Sequence, residues 1–167
     1  MLAFTIIDVK DFMNKLLLSE LFDHFCLVEA TITTYSTFSV DGHLQYDFFD
    51  TDTASMLREK SFTYSFWKDI KPFCYAVIRG KRSPLGFKII LQLPSQQTQK
   101  LLRNSGILSL DANTWNFYLN LQYKNNVLLC TTGVSSSSFI PDKRPQRIWE
   151  ETLSRFFSEN QILFQKQ

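Results

Sequence analysis

Hydrophobic residues recur along the chain with two different spacings, which divide it into predicted strands and helices. Apolar and small residues alternate over residues 2–7, which predicts a short strand. Val9–Leu17 carries apolar residues three and four apart, which predicts an amphipathic helix with Asp8 as its N-cap. β-Branched residues between 25 and 34 predict the next strand.

A turn signal and a polar stretch follow this strand. The dipeptide Asp41-Gly42 lies between two alternating stretches, residues 37–40 and 43–49, which is the pattern of a two-residue β-hairpin. Residues 50–60 are mostly polar and are expected to form a loop or a short helical turn.

A second strand and helix come next. Ser61–Ser65 alternates, and Trp67–Ile78 has a helical stripe. Pro72 is expected in the first turn of this helix or at a kink, because proline removes a backbone hydrogen bond. Gly80 is expected just beyond the helix end. Leu85–Leu93 is apolar on both faces, which predicts a central strand.

The last third of the chain contains the clearest alternation. Ser95 is expected to cap a short helix, and apolar residues occupy every second position of Trp115–Tyr123, which predicts a strand with one buried face. Asn125-Asn126 is a hairpin signal. A broad apolar stripe that includes Trp149 and Phe156 predicts a C-terminal amphipathic helix over about 142–159.

The order of these elements predicts an α+β fold in a single domain, residues 1–167. It consists of two units, each a strand, a helix and an antiparallel meander, followed by the C-terminal helix. Unit one covers about 1–60 and unit two about 61–134. This repetition suggests an internal structural duplication.

Composition narrows the class of protein. Three cysteines without a close pair argue against a disulfide framework and favour a reducing compartment, which we expect to be the cytoplasm. Asp8, Lys10 and Asp11 lie where a signal peptide would need its apolar core. No apolar run reaches the ~18 residues of a membrane span, so no membrane partner is expected.

Charge is unevenly distributed although the net charge is only +2. Acidic residues predominate in residues 1–65 and basic residues in residues 66–167. Such asymmetry has three interpretations: a solvated surface paired with the acidic half, a phosphate-contacting surface, or a site for an acidic protein. The nucleic-acid-binding candidates are Lys68, Lys71, Arg79, Lys81, Arg82, Lys143, Arg144 and Arg147.

The sequence carries no strong catalytic or cofactor-binding motif. His24 and Cys26 are too few to form a metal site by themselves and are interpreted as core residues, and the loop with Asp47, Asp50 and Asp52 is explained as well by turn chemistry as by a magnesium ion. The chain contains neither a G-x-S-x-G nucleophile motif nor a P-loop. No catalytic residue, metal ligand or cofactor is therefore assigned, and a non-enzymatic protein is favoured.

Aromatic residues between 62 and 75 lie among basic ones, which is typical of stacking platforms for single-stranded nucleic acid as well as of an ordinary core. Their spacing favours the core. Tyr118 is expected near the surface because it lies on the polar face of its strand.

Four stretches carry a family resemblance: FTIIDVKDFMNKLL, TFSVDGHLQYDFFD, Trp67–Gly80 and Phe87–Leu93. They resemble an uncharacterised family of small Firmicutes (clostridial) proteins, which implies no function. The order of elements over residues 1–134 also resembles the two-unit domain of DNA sliding clamps. That resemblance implies a homo-oligomer around DNA, and a ring of six units would take three copies of this chain.

Three function classes follow. The leading hypothesis is a clamp-like binding protein that contacts nucleic acid, or an acidic protein, through its basic second half. The second is a protein–protein interaction module that uses exposed apolar surface. The third is a carboxylate- or metal-dependent enzyme, which would show clustered carboxylates with raised pKa values in a deep pocket.

Overall fold

The computed structural model describes residues 1–107 and 115–167, which form one antiparallel sheet with helices packed against it. The described strands are β1 (Ala3–Ile6), β2 (Cys26–Thr33), β3 (Thr37–Asp41), β4 (Ser65–Phe66), β5 (Gly86–Gln92), β6 (Trp115–Lys124), β7 (Val127–Ser136) and β8 (Phe164–Lys166). The described helices are α1 (Val9–Leu17), α2 (Thr51–Glu59), α3 (Trp67–Ile78), α4 (Ser95–Asn104) and α5 (Arg144–Glu159). The predicted α+β fold with a C-terminal helix is confirmed.

The strand order is β3-β2-β5-β6-β7-β1-β8, and β4 also pairs with β2. Each opening strand therefore pairs with the meander of the other unit: β1 with β7, and β4 with β2. The predicted central position of β5 is confirmed, since it lies between β2 and β6. The two units thus share one sheet.

One face of the sheet is covered by helices. Along β6 the odd-numbered residues Trp115–Leu121 are buried, whereas Tyr118 and its neighbours on the opposite face are half-buried or exposed. α1, α3 and α5 supply the opposing apolar side chains: Phe12, Trp67, Trp149 and Phe157 are almost fully buried in one core with β1, β2, β5, β6 and β7. The apolar–polar alternation in the sequence of β6 arises because successive side chains of a strand lie on opposite faces and only one face of this sheet packs against the helices.

The hairpin expected at Asp41-Gly42 is wrong. β3 pairs back onto β2 through the turn at 34–36, and β3 ends at Asp41. Between β3 and α2 the chain forms an isolated bridge, from His43 to Tyr64, and a 3-10 turn over Tyr46–Phe48, but no strand that pairs with β3. Gly42 is needed for close approach instead, since a Cβ there would lie 1.8 Å from the carbonyl oxygen of Leu27.

The polar segment 50–60 is a nine-residue helix, α2, and not a loop or a single turn. The Asp50 carboxylate caps it by accepting a hydrogen bond of 2.7 Å from the backbone N–H of Thr53. α2 buries only Ala54 and Leu57. With so few apolar residues the helical period is weak in the sequence, and the cap is the signal that could have identified the helix.

The structure decides between the two expected positions of Pro72 and corrects one strand boundary. α3 begins at Trp67, so Pro72 lies inside the helix and not in its first turn. The expected strand Ser61–Ser65 is wrong except at Ser65, since Ser61 has a positive φ of 59°, Tyr64 forms only an isolated bridge, and β4 is Ser65–Phe66. The Asn125-Asn126 hairpin is confirmed, and both residues have the positive φ that this turn requires.

Among the described residues, no helix is both long enough and apolar enough to cross a membrane.

Candidate nucleic-acid interface

A groove of about 540 Å³ lies between α1 and the segment that connects α3 to β5. Apolar side chains form its floor: Val9, Met13, Leu17, Tyr75, Ile78, Phe87 and Tyr123. The first three come from α1, the next two from α3, and the last two from paired positions of β5 and β6. A helix, a helix end and a sheet end therefore meet at this groove.

Four cations line the same groove: Lys10, Arg79, Lys81 and Arg82. All four side chains are solvent-exposed. The groove lining includes no Asp or Glu, and in the described ranges no carboxylate lies within 4.0 Å of any of the four. An excess of positive charge with apolar walls is suited to a ligand that combines phosphate groups with planar rings.

The local chain explains why these cations are exposed. α3 ends at Ile78, Arg79 is extended (φ −63°, ψ 145°), and Gly80 follows with φ 152°. The connection to β5 is short and contributes little to the core, since Leu85 is 74% exposed. Arg79, Lys81 and Arg82 therefore lie on a surface segment that is fixed at both ends by regular structure.

Aromatic rings border the cations. Phe87 and Tyr123 are cross-strand partners and stack with ring centroids 5.3 Å apart. The Arg79 guanidinium lies 6.0 Å from the centroid of the Tyr75 ring. Tyr75 and Tyr123 are only half-buried, so part of each ring is accessible from the groove.

The other predicted residues of α3 lie away from the groove. Lys71 is mostly buried, and its Nζ donates hydrogen bonds to Asp23 Oδ1 at 2.6 Å and to the Ser19 carbonyl at 2.8 Å. Lys68 is exposed and lies over the Phe66 ring, with its Nζ 5.6 Å from the centroid. Eleven residues separate Lys68 from Arg79, which is roughly 16 Å along a helix.

The second basic cluster, Lys143, Arg144 and Arg147, lies at the start of α5 and outside the groove lining, and Arg147 lines a separate hollow with Glu150 and Glu151. Trp149 Nε1 donates to the Tyr118 carbonyl at 2.8 Å, whereas the groove adjoins Tyr123. Five residues of β6 separate these points, roughly 17 Å. Arg144 forms a forked contact with Asp142, at 3.1 Å from Nε and 2.8 Å from Nη2.

The eight predicted residues therefore form separate groups rather than one continuous surface. Three of the predicted residues line the groove: Arg79, Lys81 and Arg82. The other contributors were not predicted, and they are Lys10 of α1, Tyr75 of α3 and Tyr123 of β6. Lys10 was not among the candidates because Asp8 and Asp11 flank it in the sequence. In the structure Asp11 binds Lys15 at 2.7 Å and Asp8 caps α1, so neither balances Lys10.

The groups suited to acid–base or thiol chemistry lie elsewhere. His43 Nδ1 lies 2.6 Å from Asp41 Oδ1, and the backbone N–H of His43 lowers the pKa of Asp41 below its ordinary value. Cys26, Cys74 and Cys130 are buried free thiols whose pKa values are raised by burial. Within the described ranges, no three His, Cys, Asp or Glu residues are grouped so that they could hold a metal ion.

Comparison with known proteins identifies the family but no function. No curated protein matches the chain significantly, and no solved structure does. A family model described as a family of unknown function, DUF5721, matches residues 15–165, which is nearly the whole chain. The resemblance to an uncharacterised family is thereby confirmed, and the likeness to sliding clamps stays a prediction. The chain belongs to the DUF5721 family.

Proposed function

We propose that this protein binds nucleic acid by holding a phosphodiester strand in the groove between α1 and the 79–84 segment. Lys10, Arg79, Lys81 and Arg82 would neutralise phosphates, and Tyr75 and Tyr123 would offer ring faces to bases. The observation that carries the proposal is the convergence of four exposed cations on one groove that has no carboxylate in its lining.

The topology supports a clamp-like organisation within this proposal. The opening strand of each unit pairs with the meander of the other, as expected when two similar units share a sheet. Lys68, Lys143, Arg144 and Arg147 would contact only a nucleic acid long enough to extend beyond the groove. Lys71 is the weakest of the candidates, because Asp23 already balances its charge.

The cysteines support a cytoplasmic setting for this activity. All three are free, buried thiols, which is the usual state of cysteine in a reducing compartment.

The test is fluorescence anisotropy with a labelled 20-nucleotide single strand and a random-sequence duplex of the same length. The four phosphate contacts of the groove predict that affinity for the single strand falls at least about 20-fold between 50 and 150 mM salt, because each contact releases counterion. The triple variant R79A/K81A/R82A should lose most of this binding.

The matched control is K143A/R144A/R147A, which removes the same charge from the start of α5, outside the groove lining. It should retain binding to an oligonucleotide of about five nucleotides, which is too short to reach beyond the groove. Absence of binding at 50 mM salt, or equal loss in both triple variants, would contradict the groove. Equal affinity for a polyglutamate peptide would assign the groove to an acidic protein partner instead.

A further inference from the structure

A second cavity, of about 610 Å³, lies between α2, the 3-10 turn at Tyr46–Phe48 and the first turns of α3. It has no residue in common with the basic groove. Its walls are largely apolar, with contributions from Leu44, Phe48, Phe49, Met56, Phe66 and Ile70. Nothing in the proposed nucleic-acid site uses it.

Large apolar side chains at this cavity are exposed to an unusual degree. Phe48 is 86% exposed and Met56 is 44% exposed. Phe73, which is 67% exposed, lies one helical turn beyond Ile70 on α3, so the apolar surface continues past the cavity rim. Contiguous apolar surface of this kind on a folded domain marks an interaction site more often than chance exposure does.

Packing within the chain does not explain these side chains. α2 buries only two of its nine residues, and none of the three residues of the 3-10 turn is buried. The Phe48 and Phe49 rings contact each other edge to face, with centroids 5.6 Å apart, although Phe48 remains open to solvent. Phe48 is therefore exposed to solvent, while the neighbouring Phe49 is half-buried.

The cavity lining contains one carboxylate, Asp69, and no Lys or Arg, and the segment that forms the cavity is acidic in composition. Residues 41–70 carry six Asp or Glu against three Lys or Arg. Asp69 lines the cavity, and Asp50 and Asp52 lie at the start of α2. The Asp50 carboxylate accepts a hydrogen bond from the N–H of Thr53, which lowers the pKa of Asp50 below its ordinary value. Of the three cations of this segment, Arg58 lies over the ring of Tyr46, which is not part of the lining, whereas Lys68 lies over the ring of Phe66, which is.

We propose that this cavity is the docking site for a short, cationic amphipathic helix of another protein. The apolar face of such a helix would fill the cavity and cover Phe48 and Met56, while its Lys and Arg side chains would meet Asp50, Asp52 and Asp69. The apolar surface extends beyond the cavity to Phe73, which favours a protein segment over a small molecule. The negative charge also disfavours an anionic lipid surface.

The probe is a fluorescein-labelled 14-residue peptide of leucine and lysine, arranged so that one helical face is apolar. Its counterpart has glutamate in place of every lysine. In anisotropy titrations at 150 mM salt we expect the lysine peptide to bind at least tenfold more tightly than the glutamate peptide. The double variant F48S/M56S should weaken binding at least tenfold, with amide NMR shifts confined to residues 43–57 and 65–73 in the wild type.

The matched control is F139S, since Phe139 is 94% exposed and is not part of the cavity lining. It should change the affinity less than twofold, and folding of every variant is checked by thermal denaturation. Equal binding of both peptides, equal weakening in F139S, or no binding would overturn the proposal. So would concentration-dependent self-association that F48S/M56S abolishes, because the occupant would then be a second copy of the chain.

Discussion

The indole of Trp149 lies flat against the ring of Phe117, with centroids 5.2 Å apart and planes 7° from parallel. Both side chains are buried, and the indole N–H also donates to the Tyr118 carbonyl at 2.8 Å. This contact joins α5 to the middle of the sheet. The C-terminal helix is therefore part of the core.

Replacing Trp149 should accordingly destabilise the whole domain. W149A removes a buried aromatic side chain and is expected to cost about 3–5 kcal/mol in the free energy of unfolding. W149F keeps most of the ring contact but leaves the Tyr118 carbonyl without its donor, at a cost of about 1–3 kcal/mol. Urea denaturation followed by circular dichroism measures both. F139A, at an exposed position, should stay within about 0.5 kcal/mol of wild type.

Gly42 should tolerate no side chain. An added Cβ would lie 1.8 Å from the Leu27 carbonyl oxygen and 2.8 Å from that of Val28, both in the backbone of β2. We expect G42A to lose at least about 3 kcal/mol of stability, at the upper end of overpacking effects. G106A is the control: Gly106 has φ 87° but open space around it, so only the conformational cost of about 1–2 kcal/mol applies. Similar melting temperatures for the two variants would contradict this account.

The buried thiols should reduce stability in alkaline solution. Burial raises the pKa of Cys26 to about 12 and that of Cys74 to about 11, and it raises the pKa of Cys130 as well, against an ordinary value of 9.0. Above pH 9 the unfolded chain releases these protons while the folded chain keeps them. Stability is therefore full below pH 9 and falls as the pH rises, by about 1.4 kcal/mol per pH unit for each thiol.

Urea denaturation between pH 7 and pH 10.5 measures this slope. C130A should make the decline shallower by the contribution of one thiol, whatever the variant costs at pH 7. A decline of unchanged steepness in C130A would show that Cys130 is ionised in the folded protein. Thiol labelling at pH 8 should likewise be slow without denaturant and rapid with it.

We expect Lys71 and Lys68, both on α3, to differ in their contribution to stability, because Lys71 is hydrogen-bonded and mostly buried and Lys68 is exposed. K71M leaves the Asp23 carboxylate and the Ser19 carbonyl without their common donor and should cost about 1–2 kcal/mol. K68M changes an exposed side chain and should cost less than about 0.5 kcal/mol. Neither variant should alter binding of a five-nucleotide oligomer, since both lysines lie outside the groove. Loss of that binding in K68M would extend the site along α3.

The elements with a strong period were predicted from the sequence because one buried face imposes it. Trp115–Tyr123 alternates since only its odd-numbered residues face the helices, and α5 has a broad stripe since it covers the sheet. The helix at 51–59 was missed because two buried residues leave no visible period. The hairpin predicted at Asp41-Gly42 was wrong for another reason: Gly42 is required there because its backbone lies close to the backbone of β2, not because it forms a tight turn.

The candidate site was predicted only where its residues are neighbours in sequence. Arg79, Lys81 and Arg82 occupy one connection and form an obvious basic cluster. Lys10 and Tyr123 reach the same groove from α1 and β6, and their approach depends on how helices and strands pack. Charge asymmetry between the halves could not reveal that the two basic clusters do not line the same groove.

The exchange of opening strands has a consequence for dissection of the chain. A fragment cut at the boundary near residue 60 would keep β1 but lose β7, its partner, while the remaining fragment would keep β4 but lose β2. Each fragment would therefore contain a strand whose backbone groups lack their hydrogen-bond partners. Mixed together, the two fragments should reassemble by restoring the β1–β7, β1–β8 and β2–β5 pairings, so this protein is a natural candidate for split-reporter complementation.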